Sequence, residues 1–242
     1  MTDDNLSVLI TGASRGLGRA LAEELAGKGA RVVLVARGRD EVERAAHEIR
    51  ASGGEAHALA YDVADKEAAH KIAGAAAALV GPIDLLVHNA STLGPVPMPT
   101  LLDTACEDLA AVLETNLVGP FRLTKIIAGS MLLRQRGTVL FVSSDAAVEA
   151  YAGWGAYSVS KAAADHLARV FAAELPGVRF VSVDPGEMDT QMHAAALPDA
   201  DPATLARPAD VARLIASLVR RDNIESGARL TASALARHGR AA

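Results

Sequence analysis

Short apolar runs alternate with longer segments of helical periodicity along most of this chain, and this alternation constrains its fold more than any other feature. Several runs are apolar nearly throughout, which is typical of strands that are covered on both faces. Strands that alternate with helices indicate βαβ units and a parallel sheet. The sequence therefore predicts an α/β fold, a doubly wound parallel sheet with helices on both faces. The six runs are residues 6–11, 31–36, 56–61, 83–88, 138–143 and 178–183.

Length and composition favour one domain. The chain has 242 residues, which suits a single α/β domain, and no linker rich in proline or serine divides it. The formal net charge of −5 gives no basic stripe of the kind that nucleic-acid-binding proteins carry. Cys106 is the one cysteine, so no intrachain disulfide can form. No segment predicts a signal peptide or a membrane span. We therefore expect one cytoplasmic domain over residues 1–242, with no metal, membrane or nucleic-acid partner.

A glycine-rich turn follows the first apolar run. It reads Thr-Gly-Ala-Ser-Arg-Gly-Leu-Gly over residues 11–18 and leads into the first predicted helix. Glycines let the backbone approach a ligand closely, and a helix N-terminus offers free N–H groups to a pyrophosphate. The spacing Gly-x-x-x-Gly-x-Gly differs from the commoner dinucleotide fingerprint, so a simple tight turn is the alternative. Its position after the first strand favours a dinucleotide site.

The end of the second run indicates which dinucleotide is bound. NAD sites place an acidic residue there for the ribose 2′-hydroxyl, whereas NADP sites place an arginine nearby. Here Ala36 is followed at once by Arg37, and Arg15 lies inside the glycine turn. Two guanidinium groups suit a 2′-phosphate; the alternative is that Arg37 and Arg39 are solvated loop charges. The sequence therefore predicts NADP(H).

Three polar residues suggest proton transfer. Tyr157 and Lys161 stand four residues apart in a segment predicted to be helical up to Glu174, so they share one face. A phenol titrates near pH 10, and a nearby ammonium group favours its ionised form. Ser144 ends the fifth run, where it can hydrogen-bond a substrate oxygen. The spacing alone is common in helices, and the alternatives are a capping serine, a packed tyrosine and a surface lysine.

Taken together and in order, these motifs make the chain resemble the short-chain dehydrogenase/reductase family, in its short single-domain branch. The resemblance covers about residues 6–231 and implies a Rossmann-type sheet of about seven strands. It also implies hydride transfer between NADP(H) and a ketone or aldehyde, or a secondary alcohol. The matching stations are the glycine turn, Asp62-Val63, Asn89-Ala90, Asn116, Ser144, Tyr157 to Lys161, and Asp184-Pro185-Gly186 with Thr190.

The resemblance implies roles for the matching residues. Tyr157 would exchange a proton with the substrate, Ser144 would polarise the carbonyl, and Lys161 would bind the nicotinamide ribose and lower the Tyr157 pKa. Asn116 would hold a water that links Lys161 to solvent. The residues expected to contact the cofactor are Gly12, Ser14, Arg15, Gly16, Leu17, Gly18, Arg37, Asp62, Val63, Asn89, Ala90, Tyr157, Lys161, Pro185, Gly186, Met188 and Thr190.

The substrate site is expected in the loops after the fourth, fifth and sixth strands. Asp145 and Glu187 would add negative charge at its rim. This arrangement favours an NADP-dependent carbonyl or oxoacyl reductase. Two alternatives remain open, a regulator that binds NADP(H) without turnover and an epimerase or dehydratase on the same fold. An apolar wall is expected from Leu93, Val96, Val148, Trp154, Met188 and Met192.

The chain departs from the family pattern at four places. Ser91 replaces a glycine near the cofactor, and Asp184 stands where asparagine is frequent. The segment that follows Leu230 lacks the Val-Asp-Gly-Gly sequence of many tetrameric members. The segment 190–208 is also short for a substrate lid, and His88 is not expected to be catalytic.

The resemblance further implies a homodimer or homotetramer. In the family, the helices that here contain Asn116 and Tyr157 pair with their copies in a second subunit. Alanines 162–164 are small enough to allow close helix packing, and Leu167, Val170 and Phe171 add apolar area. We expect at least a dimer.

Overall fold

The structure is a computed structural model that describes residues 6–219 and 224–238. The two ends of the expected domain, residues 1–5 and 239–242, lie outside the described residues. Within them, seven parallel strands form one sheet in the order β3-β2-β1-β4-β5-β6-β7. The strands are β1 (Ser7–Thr11), β2 (Arg31–Ala36), β3 (Glu55–Ala60), β4 (Leu85–His88), β5 (Thr138–Val142), β6 (Arg179–Asp184) and β7 (Arg229–Thr231).

Helices connect the strands and cover both faces of the sheet. A π-helical turn at Glu114–Val118 joins α4 to α5, and 3-10 turns occur at Asp145–Ala147 and Pro202–Thr204. None of the helices in the described ranges is long and apolar enough to cross a membrane. The helices are α1 (Gly16–Ala26), α2 (Arg39–Ala51), α3 (Ala68–Val80), α4 (Cys106–Leu113), α5 (Gly119–Leu133), α6 (Gly155–Glu174), α7 (Gln191–Ala196), α8 (Pro208–Val219) and α9 (Ala232–His238).

Alternate residues of the same strand pack into opposite layers. In β1, Val8 and Ile10 join the cluster formed with α1, α2 and α8, whereas Leu9 joins the cluster formed with α3, α5 and α6. All three side chains are fully buried. Burial of each is worth about 1.5–3 kcal/mol. This explains why the strand sequences are apolar throughout, and it confirms the prediction of a doubly wound sheet.

The strand order places a crevice between β1 and β4. β1 pairs with β2 on one side and with β4 on the other, so the chain changes direction across the sheet at this point. Ligands of open α/β sheets bind outside the carboxyl ends of the strands at such a switch point. The residues that follow β1, β4, β5 and β6 therefore meet in one place.

The seventh strand is the element that the apolar pattern did not show. β7 has three residues, pairs with the end of β6 in the register Ser182–Arg229 and begins with a charged residue. The other six strands lie within two residues of the predicted runs. The expected number of seven came from the family resemblance, and the structure confirms it.

Candidate active site

A cavity of about 1360 Å³ opens at the carboxyl ends of the central strands. It is lined by every residue expected to contact the cofactor except Gly18, and by Ser144. Gly18 and Asn116 lie behind the wall. The structure thus brings the sequence-predicted residues that follow six different strands into one continuous site.

The glycine turn is held against the end of β4. The side-chain nitrogen Nδ2 of Asn89 donates to the carbonyl oxygens of Thr11 (3.0 Å) and Gly12 (2.9 Å). Gly12 has a φ of +65°, and a Cβ there would lie 2.7 Å from the Cα of Ala90. A Cβ on Gly18 would lie 2.4 Å from the Asn89 amide nitrogen. Glycine is therefore required at both positions by close backbone packing.

The same turn leaves a helix N-terminus open to the cavity. α1 begins at Gly16, which has a φ of +56°, and no described side chain caps its first turn. Ser14, Arg15 and Gly16 all line the cavity. The first N–H groups of a helix have no partner inside it, so they are available to an anion here.

Arginines at the far end of the cavity differ in their partners. Arg37 is exposed and makes no hydrogen bond or ion pair with any residue that the structure describes. Arg15 donates to Gln191 on α7 at 2.6 Å, which turns it towards the substrate side. Arg19, which the sequence reasoning missed, lines the cavity but is paired with Glu23 and Glu48. Of the described arginines that line this end of the cavity, Arg37 is thus the one without a partner among the described residues.

Glu41 is a second residue that the sequence reasoning missed. It lines the cavity, and its carboxylate folds back over Gly38, where a Cβ would lie 2.0 Å from Oε2. Glu41 is the third residue of α2, a position from which glutamate commonly reaches back to the helix start. That capping pattern is the signal that could have identified it.

Tyr157 and Ser144 face each other across the cavity wall. The Tyr157 pKa is raised to about 12, first because the phenol is buried, while a hydrogen bond with Ser144 acts in the opposite direction. The negative charges of Asp145 and Asp184 raise that pKa further. Tyr157 is therefore a protonated phenol at neutral pH, beside a hydroxyl that can hold the same substrate oxygen.

Lys161 lies on the same face of α6 but does not contact the phenol hydroxyl. Its ammonium nitrogen donates to the Val142 carbonyl at 2.8 Å and stands 5.5 Å from the centre of the Tyr157 ring. Lys161 is not among the groups that shift the Tyr157 pKa in this structure, so its expected effect on that pKa stays a prediction. Burial in turn lowers the pKa of Lys161 to about 8, with Asp165 acting in the opposite direction.

The side chain of Asn116 makes three hydrogen bonds with other groups of the protein. Its side-chain oxygen accepts from the Thr92 N–H (2.8 Å), and its nitrogen donates to the Thr92 carbonyl and the Ser160 hydroxyl, both at 2.9 Å. Ser160 in turn donates to the carbonyl of Tyr157 at 2.6 Å. The Asn116 side chain therefore ties the loop after β4 to α6, and its expected role in holding a water stays a prediction.

The side of the cavity where the substrate is expected combines apolar and acidic groups. Asp145 accepts hydrogen bonds from the hydroxyls of Ser144 (2.9 Å) and Tyr151 (3.0 Å), and Tyr151 had not been predicted. Of the predicted apolar wall, Leu93, Trp154, Met188 and Met192 line the cavity. Val96 and Val148 are exposed outside it.

Ser91 and His88, which stand beside the cofactor motif after β4, are both buried but differ in their contacts. The hydroxyl of Ser91 is buried in the cavity wall without a partner among the described residues, so it can hydrogen-bond a ligand there. His88 is buried behind the site, bonded to Thr124 at 2.7 Å and packed on Phe141. Burial lowers the His88 pKa to about 3, so this histidine is a neutral core residue.

Sequence comparison assigns the chain to a family. The model of the short chain dehydrogenase family matches residues 7–201, so the chain belongs to this family of oxidoreductases. A short chain dehydrogenase of Pseudocercospora fijiensis is 37% identical over 193 residues, which cover 78% of this chain and 61% of that protein. An uncharacterized oxidoreductase of Mycobacterium tuberculosis is 37% identical over 191 residues, with coverage of 78% and 71%. The ketoacyl reductase HetN of Nostoc sp. is 30% identical over 228 residues, with coverage of 90% and 77%.

Solved structures share the fold. A short chain dehydrogenase of Shigella flexneri complexed with NADP has a TM-score of 0.89 and 28% identity, and covers 96% of this chain and 100% of its own. An actinorhodin polyketide ketoreductase variant with NADPH has a TM-score of 0.86 and 26% identity, with coverage of 96% for both chains. An NAD⁺-bound xylitol dehydrogenase has a TM-score of 0.85 and 25% identity, with coverage of 96% and 98%. The fold alone therefore does not decide between NAD and NADP.

Proposed function

We propose that this protein is an NADP(H)-dependent reductase of ketones or aldehydes, with Tyr157 as the general acid. The observation that carries the proposal is the Tyr157 phenol beside the Ser144 hydroxyl at the wall of the large cavity, with Lys161 buried one helical turn further along α6. A positioned acid of this kind typically contributes 10²–10⁴-fold to a rate.

The residues present fit a dinucleotide. The close approach at Gly12 and the open N-terminus of α1 form a cradle for a pyrophosphate, and the orphaned hydroxyl of Ser91 points to a polar ligand in the middle of the cavity. Asp62 and Val63 would border the adenine, and Pro185, Gly186, Met188 and Thr190 would border the nicotinamide. When bound, the nicotinamide cofactor supplies or accepts the hydride.

A preference for NADP(H) over NAD(H) is supported by the residues at the end of β2. Arg37 has no partner among the residues that the structure describes and lies where a 2′-phosphate is expected, and β2 ends in Ala36 rather than an acid. The Glu41 carboxylate beside Gly38 acts against the phosphate, because like charges repel. Arg37 therefore sets the preference, and Glu41 limits its size.

The protein groups act on one substrate oxygen. The Ser144 hydroxyl, which donates to Asp145 in this structure, turns to donate its one proton to the carbonyl oxygen. The Tyr157 hydroxyl then transfers its proton to that oxygen. A pKa of about 12 keeps the phenol protonated through the neutral range, which favours carbonyl reduction over alcohol oxidation. Lys161 holds α6 against the end of β5 through the Val142 carbonyl and offers a charge beside the ribose.

The cavity favours uncharged carbonyl compounds. Leu93, Trp154 and Met192 supply apolar surface, while Asp145 and Glu187 place negative charge on the same side. These carboxylates disfavour substrates that carry phosphates.

The test is NADPH consumption, followed by absorbance, with neutral ketones, neutral aldehydes and oxoacyl thioesters of coenzyme A. We expect turnover of neutral ketones or aldehydes, and slower turnover of the anionic thioesters. NADPH binding without consumption of any carbonyl compound would contradict the proposal and favour a non-turnover regulator. Product formation without net NADPH consumption would favour epimerase or dehydratase chemistry.

We also propose a homodimer built on α4, α5 and α6. These helices expose Phe121, Val159 and Val170 at 39–48% of their surface, beside the small exposed residue Ala162. Ala164 and Phe171, which were expected to contribute, are buried against the sheet instead. Such an apolar stripe suits the two-fold interfaces of homo-oligomers.

A further inference from the structure

One guanidinium group lies directly behind the catalytic residues. Arg229, the first residue of β7, donates from Nε to Asp165 on α6 at 2.9 Å. Its Nη2 donates to the Ser144 carbonyl at 2.7 Å and to Asp184 at 3.2 Å. The three acceptors belong to three different elements, so this side chain joins them at one point.

The cluster is buried and carries more negative than positive charge. The side chains of Asp165, Asp184 and Arg229 are 5%, 10% and 19% exposed. Two carboxylates therefore share one guanidinium, and the Asp165 Oδ1 has no hydrogen-bond partner in the described part of the chain. Removing one partner of a buried ion pair leaves an uncompensated charge and is strongly destabilising.

Each acceptor adjoins a group that the proposed reaction uses. Ser144 is the substrate-binding serine itself. Asp165 lies one helical turn beyond Lys161 and also accepts from Ser143 at 2.7 Å. Asp184 accepts from the N–H of Gly186 at 3.0 Å, in the turn that borders the nicotinamide end of the cavity. Movement of Arg229 would therefore shift its acceptors at the ends of β5 and β6 and on α6 together.

We propose that Arg229 is a positioning residue for the proposed reductase, which fixes Ser144 relative to Tyr157 and Lys161 by holding Asp165, Asp184 and the Ser144 carbonyl in one buried cluster. The inference rests on the proposed function for the identity of the reacting groups. It also gives the aspartate at position 184 a structural context, because the buried Asp184 carboxylate is compensated by Arg229.

The charges around the reacting groups affect the pH profile of alcohol oxidation, which a change in stability alone would not shift. Asp145 and Asp184 act on the Tyr157 phenol, and Asp165 acts on Lys161. Loss of the Arg229 charge leaves both buried carboxylates uncompensated beside Tyr157 and Lys161. The phenolate then becomes harder to form, so the alkaline rise of alcohol oxidation moves to higher pH.

The test compares Arg229→Met with Arg134→Met, for which kcat, KM for NADPH and the pH profile of oxidation are measured. Arg134 is the control, because it also bridges a buried aspartate, Asp84 (2.9 Å), and a backbone carbonyl, but at the amino ends of the central strands, away from the cavity, where Arg136 also pairs with Asp84. A 1 Å misplacement costs about 10²-fold in rate, so kcat of Arg229→Met should fall by roughly that factor with KM for NADPH little changed. In the pH profile of alcohol oxidation by Arg229→Met, the alkaline rise should shift to higher pH by about half a unit or more.

Arg134→Met should keep the unmutated kcat and pH profile even if it lowers stability. The double variant Arg229→Met/Asp184→Asn removes one uncompensated carboxylate and should recover part of both effects. Arg229→Lys keeps the charge but has one nitrogen for three separated acceptors, so it should lose kcat with a smaller pH shift. Equal losses in Arg229→Met and Arg134→Met, or an unshifted pH profile in both arginine-229 variants, would overturn the proposal.

A crystal structure of Arg229→Lys separates this inference from the proposed function, because it needs no substrate. Displacement of the Ser144 hydroxyl from Tyr157 by about 1 Å or more would support the positioning role even if no carbonyl compound is reduced. An unmoved Ser144 would overturn it even if the protein is an active reductase.

Discussion

Replacing Lys161 by methionine is expected to stabilise the protein at neutral pH. Lys161 is buried, and burial lowers its pKa from 10.5 to about 8, so its charged form is disfavoured by folding. One pKa unit corresponds to about 1.36 kcal/mol, so at pH 7 the buried charge costs about 3 kcal/mol. Methionine has a similar length, no charge and a flexible chain that fills irregular space.

Part of that gain is lost again. The variant leaves the Val142 carbonyl without its 2.8 Å hydrogen bond, and such an unpaired buried group costs about 1–3 kcal/mol. Asp165 keeps its ion pair with Arg229. The expected net gain is therefore about 0–2 kcal/mol at pH 7. For a chain of this size, each kcal/mol moves the melting temperature by about 2–4 °C.

The sign of the pH dependence follows from the lowered pKa. The folded protein binds this proton less tightly than the unfolded chain does, so the stability linked to Lys161 is fully present above pH 10.5 and is lost as the pH falls to about 8. The raised pKa of Tyr157 acts above pH 10. The advantage of Lys161→Met should therefore shrink between pH 8 and pH 10.

Urea unfolding of the cofactor-free protein at pH 7 and pH 10 measures both effects. Lys71→Met is the matched control, because it removes an exposed lysine from α3 and should change stability by at most about 0.5 kcal/mol. If Lys161→Met is less stable than the unmutated protein at pH 7, or if its advantage does not depend on pH, the buried charge does not have the assigned cost.

Three further outcomes are expected. Arg37→Asp should lower the ratio of kcat/KM for NADPH to kcat/KM for NADH by about 10–100-fold. The reason is that a charge-assisted hydrogen bond is worth about 1.5–3 kcal/mol. The control Arg39→Asp, which breaks an exposed pair with Glu43, should lower that ratio much less. Equal changes in the two variants would count against Arg37. Ala162→Arg should convert a dimer to a monomer in sedimentation at micromolar concentration, and an unmutated monomer would refute the interface. Because the Tyr157 pKa is about 12, alcohol oxidation should rise throughout the alkaline range, whereas a flat profile would contradict Tyr157 as the proton acceptor.

Much of the fold could be predicted because its signals are local. Each buried central strand is a largely apolar run. The glycine at position 12 indicates a positive φ and close backbone packing, which the structure has there. β7 could not be found in this way, because a three-residue strand that begins with Arg229 has no apolar run. It forms only because the edge of β6 is already in place.

The site was less fully predictable because its contacts depend on rotamers and long-range packing. The sequence identified Tyr157, Ser144 and Lys161 but not that the Lys161 nitrogen would be held by the Val142 carbonyl, 19 residues away. Residues that act through others were missed for the same reason. Asp165 continues the spacing of Tyr157 and Lys161 on one helix face, yet its partner Arg229 is 64 residues away.

The most direct test of the central claim is the turnover of NADPH by Tyr157→Phe. The substitution removes the transferable proton and keeps the ring that packs on Trp154, so folding and NADPH affinity should stay close to normal. Fluorescence titration with NADPH checks the second point. Steady-state reduction of the best neutral ketone or aldehyde should fall by about 10²–10⁴-fold, the usual contribution of a general acid. Tyr157→Phe protein that binds NADPH normally and keeps most of its turnover would contradict the account.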